Sequence, residues 1–118
     1  MTRPMPIFKS VFKRGDVVVV PFPYSDQLGE KRRPALVVSG VKFNDSGFLW
    51  VVMITSKIEG SPSDVIQFDH AKAGLSKPSV VRVAKLATIE ASRVLRVAGH
   101  IDSKALTAVG KVIDSILS

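Results

Sequence analysis

Arginine and hydroxyl side chains are the main reactive material of this sequence. Lys31-Arg32-Arg33 stand at a loop–strand boundary, Thr55-Ser56 at the end of an apolar run, and Arg82 within Val80 to Val83, so the three groups could converge. The other inventories are nearly empty. Without cysteine there is no thiol nucleophile, disulfide, thiolate zinc site or iron–sulfur ligation, and no Gly-rich phosphate motif or nucleophile elbow is present. His70 and His100 are the only imidazoles. His100 ends an apolar run and reads as a packed or exposed bystander. His70 beside Asp69 imitates a metal pair but lacks further ligands at usable spacing. Neither is taken as a site, and no metal or cofactor is expected.

The charge balance says what arginines and hydroxyls would bind. Seventeen Lys and Arg against ten Asp and Glu give +7 over 118 residues. That excess favours a polyanionic partner, with nucleic acid ahead of an acidic membrane surface or an acidic protein; ordinary solubility charge is the plainer explanation of basicity. Met1 to Ser10 lacks an apolar leader core, and the longest apolar runs, such as Phe48 to Ile54, are too short to span a bilayer. A cytoplasmic protein is expected.

The elements that would position these groups are mostly strands. At 46% hydrophobic and 23% charged, the chain has enough apolar material for one folded domain. Residues 1–14 carry Arg3, Lys9, Lys13 and Arg14 without an acid and read as a loosely held basic arm, leaving 15–118 as a single domain. Asp16 to Phe22 is a β-branched run suited to a strand buried on both faces, and Tyr24 to Arg33 a long polar loop. Pro34 to Ser39 and Phe48 to Thr55 are strands around a hairpin turn at Asn44-Asp45-Ser46-Gly47. Asp64 to Phe68 and Ser79 to Val83 are short strands, and Arg93 to His100 closes the sheet. Trp50, Phe48 and Phe22 are expected in the core. Only the C-terminus is helical: Leu106, Val109, Ile113 and Ile116/Leu117 recur at three- and four-residue steps, with Asp102 or Ser103 as cap. Gly110 inside that helix marks either a close approach to the sheet or nothing. The spacing points to a small mainly β barrel with a C-terminal helix.

The blocks Gly15-Asp16-Val-Val-Val-Val-Pro-Phe-Pro, Arg32-Arg33-Pro34-Ala-Leu-Val-Val-Ser39, Met53-Ile54-Thr55-Ser56 and Gly74-Leu-Ser-Lys-Pro-Ser-Val-Val-Arg82 strongly resemble, in order, the MazF/PemK family of toxins. With Thr88-Ile-Glu and the final helix the resemblance covers roughly residues 15–117. It implies an SH3-like barrel, a homodimer, and the toxin of a type II toxin–antitoxin pair that cleaves single-stranded RNA without metal. An acidic antitoxin segment would block its groove. The related CcdB toxins share the barrel yet poison DNA gyrase by binding it, which keeps a non-catalytic reading open.

Carried over residue by residue, the resemblance puts Arg33 and Thr55 in the active site; Lys31 and Arg32 of the basic run and Ser56, whose hydroxyl could equally satisfy a strand-end backbone group, are the candidate substrate contacts. Some members use an arginine and an aspartate two residues later for proton transfer; Arg82 matches the arginine, but Ala84 stands where the aspartate would be. An alanine cannot take a proton from a ribose 2′-OH, so the base must be another group or the substrate itself. Glu30, three residues from Arg33, is the candidate, with a solvent-facing loop acid as its plainer reading; Asp26 is weaker. Attack of the 2′-OH on its neighbouring phosphate passes through a phosphorane of extra negative charge, and a guanidinium fork with a threonine hydroxyl would meet that charge. Arg33 and Arg82 are therefore electrostatic stabilisers first and proton donors second. Asp16, ahead of its strand, is expected to hold a turn or a backbone N–H.

Overall fold

A computed structural model of the chain describes residues 10–21, 32–57 and 65–118. Six strands, β1 (Asp16–Pro21), β2 (Arg32–Val37), β3 (Phe48–Thr55), β4 (Val65–Gln67), β5 (Val80–Glu90) and β6 (Arg96–His100), form one curled antiparallel sheet in the order β4-β5-β3-β2-β1-β6. The helix α2 (Ser103–Leu117) follows. This is the expected mainly β barrel with a C-terminal helix.

Strand alternation sorts the β-branched runs into two apolar clusters. Val17, Leu36, Val52, Ile54, Val81 and Val83 face Ala105 and Val109 of α2, while Val18, Val20, Ala35, Val37, Leu49 and Val51 pack on the other face. Three of the four valines of β1 serve the clusters, Val17 the first and Val18 and Val20 the second, and all three are fully buried. Each such side chain contributes about 1.5–3 kcal/mol of burial free energy. The Asp102 carboxylate accepts the Ala105 N–H at 2.8 Å, fixing the start of α2 as its sequence implied. An added Cβ at Gly110 would meet the Arg14 side chain at 2.7 Å, so that glycine admits a crossing arginine and not the sheet.

Four expectations change. The connection between β2 and β3 contains a helical turn, α1 (Val41–Asn44), ahead of the positive-φ Gly47. Buried Asn44 organises it, accepting from the Ser39 hydroxyl and donating to the Phe12 carbonyl at 3.0 Å. Second, β5 runs eleven residues, not five; between the Val52–Leu86 and Met53–Arg82 pairs, one step of β3 faces four of β5, so residues 83–85 are extra. Third, residues 10–12 are tied down, not loose: the Ser10 N–H donates to Asp45 at 2.7 Å and Phe12 packs on the second cluster. Residues 1–9 lie outside the described residues. Fourth, Trp50 and Phe48 are 41% and 45% exposed. The space between Trp50 and the last turns of α2 is a groove of about 360 Å³, in which Trp50 meets Phe43 edge-on at 5.7 Å. Phe22 lies outside the described residues.

Candidate functional site

The cleft at one end of the sheet originates in Pro34. A proline has no N–H to give a ladder. Pairing of β2 with β3 begins only at Ala35–Met53, although β2 pairs with β1 from Arg32 onward. The strand ends beyond that point are parted. Two residues beyond the Ala35–Met53 pair, Arg33 and Thr55 fall on the same face of their strands, and both line the opening between the parted ends. Arg32, Pro34 and Ile54 alternate to the other face.

Both sets reach a cleft of about 520 Å³, because it opens at the strand ends. Its floor is a row crossing four strands: Arg96 of β6 pairs with Val19 of β1, Val19 with Pro34 of β2, and the β2–β3 register carries Pro34 to Ile54. The opposite wall is Leu75, Ser76 and Lys77. That wall is held by a backbone crossing. Gly74 has φ +80°, and a Cβ there would sit 1.9 Å from the Ala98 carbonyl oxygen of β6, so only glycine allows this approach.

The electrostatics are one-sided. Arg32, Arg33, Lys57, Lys77 and Arg96 line the cleft, and no carboxylate does so among the described residues. Thr55 is oriented: its Oγ1 accepts the Lys57 N–H at 3.2 Å, which leaves the hydroxyl proton to donate into the cleft. Ser56 lines the cleft and is exposed. The backbone N–H at this strand end is thus held by Thr55 and not by Ser56.

The remaining sequence candidates lie elsewhere. Arg82 pairs with Met53, two residues along β3 from Thr55 and on the same face, but it is not on the cleft wall and has a partner of its own. Ala84 is exposed within the extra segment of β5. Glu30, Lys31 and Asp26 fall outside the described residues. Asp69 Oδ1 accepts the Ala71 and Lys72 N–H groups at 3.1 and 3.3 Å, which makes it a turn former beside His70. Among the described residues no cluster of three His, Asp or Glu could hold a metal.

His100 is a partner and not a bystander. Its Nδ1 lies 3.0 Å from Oδ1 of buried Asp16, whose other oxygen accepts the Lys13 N–H at 2.8 Å. Asp16 holds a backbone N–H as expected; the imidazole was the part its sequence context did not reveal. Sequence reasoning also missed Arg96, Lys57 and Lys77 as cleft residues. Lys77 stood within a family block, but nothing in the spacing of Arg96 marked it. It reaches the cleft only through the β1–β6 register.

The family described as PemK-like, MazF-like toxin of type II toxin–antitoxin systems matches residues 13–117. No curated protein matches the chain. Among solved structures, the MazE–MazF complex of Deinococcus radiodurans aligns at 23% identity, covering 92% of this chain and 96% of that one, with a TM-score of 0.72. Mycobacterium tuberculosis toxin MazF-mt6 aligns at 20% identity over 86% and 95%, TM-score 0.71. A mycobacterial endoribonuclease in complex with its cognate antitoxin aligns at 16% over 91% and 95%, TM-score 0.74. At these identities the structures establish the shared fold. Together with the family match over nearly the whole sequence, they show that the chain belongs to the PemK-like, MazF-like toxins of type II toxin–antitoxin systems.

Proposed function

We propose that this toxin is an endoribonuclease that cleaves single-stranded RNA in the cleft at the ends of β2 and β3. The observation carrying the reading is the Arg33–Thr55 juxtaposition on a cleft that gathers five cations without a described acid. The 2′-oxygen forms a bond to the adjacent phosphorus and the bond from phosphorus to the 5′-oxygen breaks. The 2′-proton is lost, the leaving oxygen gains one, and the products are a 2′,3′-cyclic phosphate and a 5′-OH. Arg33 meets the charge growing on the nonbridging oxygens with a planar pair of donors, and the Thr55 hydroxyl orients one of those oxygens. Both are in place before reaction, so little reorganisation is needed. Arg82, two positions along the same face, adds positive charge from behind Met53. Glu30 or the substrate itself takes the 2′-proton. The positive charge is supplied by side chains, so activity should survive chelation.

Two protein partners complete the reading. A second copy of the chain would form a homodimer, and an acidic segment of a cognate antitoxin would compete with RNA for the cleft in the cytoplasm. Among the described residues no helix is long and apolar enough to cross a membrane. The test is incubation with long single-stranded RNAs in excess EDTA, with the 5′ ends of fragments mapped. Cleavage leaving 5′-OH ends is expected; intact RNA across several sequences would overturn the reading in favour of a protein-binding toxin.

A further inference from the structure

We propose that Arg96 and Lys77 form a separate phosphate-holding subsite on the β6 side of the cleft, which grips the RNA backbone one step away from the bond being cut. The inference rests on the reading of the cleft as an RNA site and adds to it a residue that neither the motif blocks nor the Arg33–Thr55 pair includes.

Three observations carry it. First, Arg96 occupies the end of the floor row Arg96–Val19–Pro34–Ile54, on the edge strand of the sheet. Arg33 and Arg96 stand on strands two inter-strand spacings apart, roughly 10 Å, and alternation puts them on opposite faces. Guanidiniums rooted so far apart enter the cleft from separate sides. They suit neighbouring phosphates of one strand. Second, the Gly74 crossing ties the wall that carries Lys77 to the strand that carries Arg96: Ala98, two residues from Arg96, lies against Gly74, three residues from Lys77, and both cations line the cleft. The backbones that carry these two cations are therefore held together by a contact that only glycine permits. Third, Arg96 is exposed and has no carboxylate partner among the described residues, in contrast to His100 at the other end of the same strand. Arg32 alternates to the same face as Val19 and Arg96 through its pairing with Pro21, and extends the cationic rim toward β2.

An apolar floor of Val19, Pro34 and Ile54 between cationic walls matches a nucleotide lying with its base face on the floor and its phosphates at the rims. Arg96 then contributes binding and register and makes no contact with the reacting atoms.

The experiment measures binding of a single-stranded oligonucleotide carrying 2′-O-methyl groups, which cannot attack phosphorus, across a salt series, beside steady-state cleavage of the matching RNA. Arg96→Gln should reduce the slope of log K against log salt by about 0.7, one single-strand phosphate contact. It should raise KM several-fold and leave kcat within about twofold. Arg96→Lys should restore most of the slope, and Lys111→Gln, which removes an exposed cation of α2 outside the cleft, should leave it at the wild-type value. An unchanged slope in Arg96→Gln, or a fall in kcat with KM unaltered, would overturn the subsite. A wild-type protein that neither binds nor cleaves RNA would instead overturn the nuclease reading.

Discussion

The β1–β6 pair has two ends of opposite electrostatic character. At one end Asp16 pairs with His100: a buried carboxylate accepts an imidazole nitrogen at 3.0 Å and a backbone N–H at 2.8 Å. Three residues further along β1, Val19 pairs with Arg96, and the residues gathered there are cations over an apolar floor. In the first arrangement both carboxylate oxygens have partners within the chain. The second leaves like charges gathered without a described counter-charge, a cost that a bound polyanion removes. Charged residues in one small sheet thus divide into those paired within the fold and those gathered on a cleft without a described counter-charge, and the strand pairing decides which is which.

Breaking the ligand end alone has the largest expected effect. Arg33→Ala should lower single-turnover cleavage by about 10³-fold with the thermal midpoint unchanged, because Arg33 is not part of either apolar cluster. Gly74→Ala attacks the wall that joins the two regions: a Cβ at 1.9 Å from a carbonyl oxygen, at φ +80°, forces the backbone apart. A loss of about 3 kcal/mol in denaturant unfolding is expected, together with weaker RNA binding. Thr55→Val keeps shape and removes the oriented hydroxyl, and about a 10²-fold fall in rate should follow. The smallest effect belongs to the paired end. Asp16→Ala leaves the Lys13 N–H and the imidazole without their acceptor, costing about 2 kcal/mol. Calorimetry should show a midpoint lower by roughly 8 °C, with the cleavage rate of the folded protein unaltered.

How much of this was legible in the sequence depended on whether the signal was local. The runs Asp16–Pro21 and Phe48–Thr55 announce strands by β-branched composition, and Asp102 announces the cap of α2 by its position before a 3.6-residue pattern. Arg33 and Thr55 were singled out by ordered motif blocks, and both line one cleft at the ends of β2 and β3. Arg96 and His100 were not, because each acquires its role from a strand some eighty residues away in sequence. Trp50 read as core because its strand is apolar, yet α2 passes it across a groove instead of covering it. The continuation of β5 to Glu90 escaped notice because its middle, residues 83–85, departs from regular pairing with β3.

The division between the two ends is tested most directly by single-turnover cleavage of a single-stranded RNA at saturating protein, comparing Arg33→Ala with Asp16→Ala well below both unfolding midpoints. A rate constant near wild type is expected for Asp16→Ala and one lower by about 10³-fold for Arg33→Ala. Cleavage by Arg33→Ala at the wild-type rate would contradict that division.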